Sequence, residues 1–154
     1  MKIVDERYEN EKLDVPYNIS NTLSGVGAEV FTLGYPLFLS GMGAEVKYSN
    51  GSISSKSGYK NDLNSYQTTV AIQPGNSGSP LFDKEGNVVG CINAAILKAD
   101  NVSYAVKSTA LLNLLMSSPD KVNYSEKLDV LAKLSREEQI KVLAKYVAVV
   151  TLKR

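Results

Sequence analysis

Residues 74–82 read Pro74-Gly75-Asn76-Ser77-Gly78-Ser79-Pro80-Leu81-Phe82, a turn-forming stretch that runs directly into an apolar pair. A serine hydroxyl is a weak nucleophile, so acyl transfer needs it exposed on a rigid turn, with main-chain N–H groups aimed at the developing oxyanion. Glycine at position 75 lets its own N–H and that of Ser77 converge, because no Cβ restricts its φ. The stretch therefore presents Ser77 as a candidate nucleophile and the amides of Gly75 and Ser77 as a candidate oxyanion hole.

Two other interpretations of the same stretch need weighing. Composition alone favours a plain polar turn, since Pro, Gly, Asn and Ser fill loops in all kinds of proteins. The Gly-x-Ser-x-Gly nucleophile elbow is excluded, because residue 79 is serine and because a strand, not a helix, follows the candidate nucleophile.

Short β-like segments surround this turn on both sides. They are rich in β-branched and aromatic residues and are separated by Gly, Asn and Asp turns. They cover residues 30–34, 45–57 (with a turn or bulge at Asn50-Gly51), 66–72, 81–82, 87–97 and 102–106, with a hairpin connection at 83–86. Six short strands at this spacing predict a closed antiparallel barrel or a sandwich.

The pattern becomes helical after the last strand. Residues 109–116 have a helix former's composition, a short helix is predicted from Ser125 through Leu134, and Ser135 with Glu138 forms a capping box. Ile140, Leu143, Ala144 and Val147 then share one face at helical spacing. That face can dock a partner or pack on the β body, and packing is favoured because core-facing helices show the same stripe. The predicted division is a linker over 1–24, a barrel over 25–107 and helices over 108–154.

Bulk properties narrow the function classes. The 154 residues fit one domain, and 17 basic against 16 acidic residues, spread along the chain, give a net charge of +1 and no sign of a nucleic-acid partner. No apolar run reaches membrane-spanning length, and the first six residues lack the apolar segment of a signal peptide. With one cysteine (Cys91) and no histidine, an intrachain disulfide is excluded, and a zinc site or a Cys-His nucleophile is not expected. We expect no cofactor.

A longer match decides between these interpretations. From Val30 to Val106 the sequence resembles the C-terminal barrel of trypsin-like serine peptidases, of the bacterial HtrA/Deg type. The matching pieces follow in the family's order: 30–36, 51–54, 66–72, 75–81, 86–93 and 104–106. The match covers about half of the chain, and the serine motif with the hairpin after it is its specific part. The resemblance implies a mainly β fold: a six-stranded Greek-key barrel, the second barrel of the trypsin-like fold, with a helical tail.

The resemblance also assigns roles by position. It implies that Ser77 is the nucleophile, that the Gly75 and Ser77 amides form the oxyanion hole, and that backbone at 93–95 pairs with a peptide substrate. The substrate-binding residues it implies are Ala71, Ile72, Asn93, Ala94, Ala95 and Val102. Of these, Ala71, Ile72, Ala95 and Val102 would line the primary specificity pocket. None of the four is charged, which favours a small or medium apolar residue before the cleaved bond. Ser79 stands where the family usually has glycine, a departure that we expect to leave catalysis possible.

The family's base and its orienting aspartate come from the N-terminal barrel, and this sequence contains no histidine. Residues 1–4 resemble the end of the segment that follows the family's aspartate, so we expect a chain that lacks the first barrel and is inactive alone. Substitute bases would be Lys56, Lys98 or Lys107, as in serine–lysine enzymes. The alternative function is a catalytically dead, protease-like module that binds a peptide or protein. A lone barrel also predicts self-association through its exposed apolar face, and the resemblance implies a periplasmic or secreted location.

Overall fold

A computed structural model describes residues 15–37, 41, 43, 45–95, 101–119 and 130–150, with backbone only at 94 and 95. Six strands form the body: β1 Glu29–Gly34, β2 Lys47–Ser55, β3 Ser65–Thr68, β4 Pro80–Asp83, β5 Val88–Ala95 and β6 Ser103–Lys107. Two α-helices follow, α1 Ser108–Met116 and α2 Arg136–Leu143, with 3-10 turns at Tyr59–Asn61, Leu131–Lys133 and Ala144–Tyr146.

The six strands close into an antiparallel barrel in the order β1-β2-β3-β6-β5-β4. The first three strands form a meander, and the chain then returns across the barrel to place β4 beside β1, which is the Greek-key connection. The predicted mainly β barrel with C-terminal helices is therefore confirmed. The connection between β3 and β4, residues 69–79, carries Ser77 over one end of the barrel.

Alternate residues of each strand fill the barrel interior. The inner cluster contains large buried side chains from opposite walls, namely Val30, Ile53, Tyr66, Val70, Leu81, Val89, Ile92 and Ala105. Burial of these side chains stabilises the closed sheet by roughly 1.5–3 kcal/mol for each large residue.

The outer face of β1, β4 and β5 is also buried. A strand that alternates buried apolar residues with exposed polar ones would leave this face exposed. Phe31 and Leu33 project outward from β1 and are 1% and 0% exposed. They pack with Leu131 and Leu143 from the C-terminal segment, residues 130–150, which we call the appendage. The amphipathic face of α2 therefore packs on the barrel, as favoured above, and does not stand open for a partner.

Two strand predictions needed correction. Asn50 and Gly51 form no turn or bulge against β1, because they pair in register with Phe31 and Val30. A Cβ on Gly51 would lie 2.7 Å from the Val70 amide nitrogen, so this glycine serves a close approach of the chain after β3. The irregularity lies further on, between Ile53 and Ser55.

The third strand was predicted over 66–72 but ends at Thr68. There Thr68 Oγ1 accepts a local hydrogen bond from the Val70 amide, and Thr69 Oγ1 accepts one from the Ser52 amide of β2, so side-chain bonds take the place of the regular ladder. The helix predicted at 109–116 and the hairpin at 83–86 are confirmed. Of the helix predicted over 125–134, residues 125–129 lie outside the described residues, and 131–133 form a 3-10 turn.

The described part of the predicted linker lies on the barrel. Ile19 forms a parallel bridge with Val88, where the Ser20 amide donates to the Val88 carbonyl at 2.8 Å. Tyr17 packs edge-on against Phe82 with ring centres 6.0 Å apart. Across the described ranges, every helix is too short or too polar to cross a bilayer.

Candidate active site

Ser77 is the second residue of the second of two successive tight turns in the β3–β4 connection, residues 73–76 and 76–79. The Asn76 amide donates to the Gln73 carbonyl at 3.0 Å, and the Ser79 amide donates to the Asn76 carbonyl at 3.0 Å. The third residue of each turn is a glycine in the left-handed region, Gly75 with φ 102° and Gly78 with φ 90°. Both therefore match type II turns, which require φ > 0 at that position. The chain can form this loop because a glycine stands at each of the two positions that require a positive φ.

The first turn is fixed from outside by the residues that follow β1. The Leu37 amide donates to the Pro74 carbonyl at 2.8 Å. Because the Pro74–Gly75 peptide is trans, its N–H points opposite to its C=O, so the Gly75 N–H is directed away from Leu37.

Gly75 and Ser77 keep their main-chain donors available. Within the described residues, neither N–H donates to a protein acceptor, whereas the Asn76 amide between them is used within the turn. Ser77 itself is exposed, and its hydroxyl has no hydrogen-bond partner among those residues. The loop therefore offers one free hydroxyl and two free amides within three consecutive residues.

Asn76 and Ser79 turn inward and underlie the loop. They are 3% and 8% exposed, respectively. A Cβ on Gly34 would lie 2.5 Å from Ser79 Oγ and 2.7 Å from Asn76 Oδ1, so the glycine that ends β1 makes the space that both side chains use. The hydroxyl that Ser79 carries, where the family usually has glycine, is thereby directed toward β1. Asn76 Oδ1 is buried without a hydrogen-bond partner in the described part of the chain.

The predicted peptide-pairing strand lies beside this loop. β4 reaches β5 only as far as Pro80 opposite Cys91, and beyond it the Gly78 amide donates to the Ile92 carbonyl at 2.8 Å. β6 continues to pair with the other side of β5, at Ala94 opposite Tyr104 and at the Ala95–Ser103 pair. Asn93 is exposed and sits at a register shift between Ile92 and Ala94. Residues 93–95 therefore extend past the end of β4.

The residues predicted to line a specificity pocket come from neighbouring segments. Ala71 is exposed, while Ile72 and Val102 are half-buried, with Ile72 against the inner cluster. Ser103 Oγ donates to the Val70 carbonyl at 2.8 Å, which holds the start of β6 beside the end of β3. This contact brings the 71–72 and 102 positions to the same end of the barrel. Residues 96–100, which would complete such a pocket, lie outside the described residues.

A groove of about 770 Å³ opens beside Ser77. Its lining is mostly apolar and combines the loop that carries Ser77 with Tyr17, Ile19, Leu111 and residues 146–150. No carboxylate, lysine or arginine occurs among these described lining residues. Burial raises the pKa of the Cys91 thiol, which also lines the groove, and burial, followed by the nearby Tyr146, raises the pKa of Tyr17. Neither group is thus tuned to accept a proton near neutral pH.

Of the lysines suggested as substitute bases, Lys56 and Lys107 lie among the described residues, and Lys56 is exposed. Lys107 is 6% exposed and its ammonium donates to the main-chain carbonyls of Lys56 and Leu63, 2.7 Å away for the former. It also lies over the Tyr66 ring, 5.1 Å from its centre. Two of its three donors are therefore committed to structure. Lys98 lies outside the described residues.

Sequence comparisons agree with this architecture. The profile of the trypsin-like peptidase domain matches residues 9–91, more than half of the chain. The chain therefore belongs to the trypsin-like peptidase domain family.

Two relatives with known names are serine proteases of the HtrA/DegP type. The serine protease Do-like HtrA of Lactococcus lactis is 34% identical over 84 residues, covering 54% of this chain and 20% of that protein. A probable periplasmic serine endoprotease DegP-like of Hahella chejuensis is 45% identical over 58 residues, covering 35% of this chain and 12% of that protein. The match thus spans a fifth or less of these relatives.

Solved structures give the same fold. The serine endoprotease from Yersinia pestis superposes with a TM-score of 0.51 at 28% identity, covering 66% of this chain and 34% of that one. Rv3671c from M. tuberculosis superposes with a TM-score of 0.56 at 20% identity, covering 70% and 55%. The second likeness concerns the fold alone.

Sequence reasoning missed two contributors to the site. Tyr35 belongs to the segment 30–36 that matches the family, and Leu37, whose amide bonds to Pro74, carries no signal in the sequence pattern. The appendage reaches the groove beside Ser77, a contact between residues far apart in sequence that no local pattern could indicate.

Proposed function

We propose that this chain is the nucleophile-bearing half of a serine endopeptidase, which hydrolyses peptide bonds through an acyl-enzyme and is inactive alone. The observation that carries the proposal is the exposed Ser77 hydroxyl, accompanied by the Gly75 and Ser77 amides, neither of which donates to an acceptor among the described residues. Membership of the trypsin-like peptidase domain family supports it.

The proposed chemistry uses few groups. A base takes the Ser77 proton as Oγ attacks the scissile carbonyl carbon, and the carbonyl oxygen becomes an oxyanion that accepts from the Gly75 and Ser77 amides. Collapse breaks the C–N bond, and the protonated base returns its proton to the leaving amine. Water then attacks the acyl-enzyme by the same route and releases the acid. Each oxyanion donor contributes about 2.7–4 kcal/mol to the transition state.

In this proposal a histidine from a second barrel supplies the base, because these 154 residues contain no histidine. The groove beside Ser77 suits the arrival of a second barrel, since it is apolar and lacks charged side chains among its described residues. In this proposal residues 1–24 connect the two barrels, 25–107 form the nucleophile barrel and 108–154 its helical tail.

The proposed substrate is an extended polypeptide added to β5. Its main-chain groups at 93–95 lie past the end of β4, so a peptide strand can continue the sheet there and bring its carbonyl to Ser77. A solved HtrA-type protease, 25% identical with a TM-score of 0.51, carries a decapeptide. We further propose that Ala71, Ile72, Ala95 and Val102 line the primary pocket and select a small or medium apolar residue. We also propose a periplasmic or secreted location, because the Hahella chejuensis relative is a probable periplasmic endoprotease.

A second candidate function is a peptide-binding module without catalysis. It is favoured by the missing histidine together with the open β5 edge, which would bind a peptide whether or not Ser77 reacts. The two functions predict different results when a histidine-bearing barrel is added: the peptidase gains cleavage, whereas the binding module still only binds peptide.

The test fuses the chain to the His- and Asp-bearing barrel of an HtrA-type relative and measures cleavage of an unfolded protein. We expect cleavage by the fusion, at least 1,000-fold less by the chain alone, and none by the fusion with Ser77→Ala. Ser79→Ala is the matched control, because this neighbouring hydroxyl is directed away from the loop surface, and it should retain activity. A folded fusion that binds peptide without cleaving it would favour the binding module.

A further inference from the structure

We propose that Tyr35 is a positioning residue for the Gly75 turn and that the appendage holds it in place. This inference rests on the proposed function, because the turn matters only if the Gly75 amide stabilises an oxyanion. It gives the helical tail a role in the site, although the tail lies outside the residues that match the family.

The appendage is anchored firmly enough to act as a support. Leu143 is fully buried against the outer face of the barrel. Gln139, only 2% exposed, donates through Nε2 to the Leu131 carbonyl at 2.8 Å and to the Lys84 carbonyl at 3.1 Å. The second bond ties α2 to the β4–β5 hairpin.

Past α2, the appendage reaches the loop after β1. The Tyr35 hydroxyl donates to the Val147 carbonyl at 3.3 Å. Val147 packs against the cluster on the outer face of the barrel that contains Phe31, Leu131 and Leu143. Its carbonyl is therefore held by the same contacts that hold α2. Tyr35 and Val147 are 112 positions apart in sequence.

The loop after β1 in turn sets the oxyanion turn. A Cβ on Gly75 would lie 2.8 Å from the Tyr35 carbonyl oxygen, which shows how closely the two backbones approach. Two residues later, the Leu37 amide donates to Pro74 at 2.8 Å. Pro36 restricts the backbone between Tyr35 and Leu37, so a displacement of Tyr35 moves the Leu37 donor.

Leu37 also adopts a left-handed φ of 52°, which is unfavourable for a leucine and persists only where surrounding contacts hold it. If Tyr35 is released, Leu37 can relax to an ordinary conformation and its amide leaves the Pro74 carbonyl. The Pro74–Gly75 peptide is then free to rotate, and the Gly75 N–H loses its direction.

Amide hydrogen exchange of the full 154-residue chain, followed residue by residue by NMR, tests the proposal. In Tyr35→Phe we expect exchange of the Leu37 amide to accelerate about 3- to 10-fold, the range for one lost hydrogen bond. The Ile92 amide, bonded to the Ser79 carbonyl at 2.9 Å, should not change. Tyr48→Phe removes a hydroxyl from a half-exposed tyrosine on β2 and should change neither amide.

A second pair of variants covers the appendage. Leu143→Ala loosens α2 at a distance from the loop and should accelerate Leu37 exchange relative to Ile92. Leu112→Ala, in α1, removes a similarly buried side chain and should accelerate both amides equally. Equal Leu37 exchange in wild type and Tyr35→Phe would overturn the proposal, and so would equal effects of the two leucine variants.

The activity of the fusion separates this inference from the proposed function. In an active fusion Tyr35→Phe should lower kcat about 10-fold with little change in KM, because only transition-state stabilisation is lost. If Tyr35→Phe accelerates Leu37 exchange but the wild-type fusion is inactive, the support exists and the peptidase proposal fails. If the fusion is active and Tyr35→Phe alters neither exchange nor kcat, only the inference about Tyr35 fails.

Discussion

At position 75 the backbone leaves no room for a side chain. An added Cβ would meet the Tyr35 carbonyl oxygen at 2.8 Å and the Leu37 amide nitrogen at 3.0 Å, both of them backbone atoms. The left-handed φ of Gly75 adds a conformational penalty for any other residue. The shape of the loop that carries Ser77 therefore depends on this glycine for both space and dihedral angle.

Gly75→Ala tests this dependence against a matched control. Gly78 has a similar positive φ of 90°, but a Cβ there would meet nothing within 4 Å. We expect Gly78→Ala to lower the free energy of unfolding by about 1 kcal/mol, the cost of the dihedral angle alone. Gly75→Ala should cost about 2–3 kcal/mol and also remove activity in the fusion. Urea denaturation measures both, and equal losses would show that the contacts with Tyr35 and Leu37 are unimportant.

Among the elements, α2 has the most complete local signal. Ser135 Oγ accepts from the Glu138 amide at 3.4 Å, and the Glu138 carboxylate accepts from the Ser135 amide at 2.9 Å, which completes the capping box that the sequence predicts. Loss of this cap should loosen the appendage, because α2 is the element that carries its buried contacts.

Ser135→Ala should lower the free energy of unfolding by about 1 kcal/mol. The effect should depend on pH, because hydrogen bonds from the Ser135 amide and hydroxyl lower the pKa of Glu138 below its unfolded value. This contribution is present above the unfolded pKa of about 4.3 and is lost as the pH falls through the lower folded value. Thermal melts from pH 3 to 7 should show this acid-side loss in wild type and a smaller one in Glu138→Gln. Glu137→Gln is the control, and an identical loss in all three would contradict the assignment.

The strands show what local pattern can and cannot predict. The hairpin at 83–86 and the helix at 109–116 follow from turn residues and composition, and both are present. The end of β3 at Thr68 and the in-register pairing of Asn50 and Gly51 do not follow, because each depends on contacts with a distant strand. The loop around Ser77 could be predicted from its residues, whereas the supports from Leu37 and Tyr35 arise only when β1 lies beside the crossover.

On the scale of the whole molecule, apolar surface remains uncovered around the groove. Leu114 and Met116 of α1 are 71% and 68% exposed, and Leu111 on the same helix lines the groove. Patches of this kind on a soluble domain mark surfaces that another chain or domain covers. In the present account the cover is the histidine-bearing barrel.

The chain alone should therefore self-associate with rising concentration. Sedimentation velocity should show a monomer at low micromolar concentration and larger species above it, and Leu114→Lys with Met116→Lys should shift the distribution toward monomer. The fusion should remain monomeric over the same range. A wild-type chain that stays monomeric at high concentration would argue against an uncovered interface.

The most direct test of the account is labelling with an active-site-directed phosphonate, followed by peptide mapping in a mass spectrometer. We expect Ser77 to be the labelled serine, labelling of the 154-residue chain to be very slow, and the histidine-bearing barrel to accelerate it at least 1,000-fold. Rapid labelling of the chain alone would reveal a base among its own residues. Labelling of another serine in the fusion would contradict the assignment of Ser77 itself.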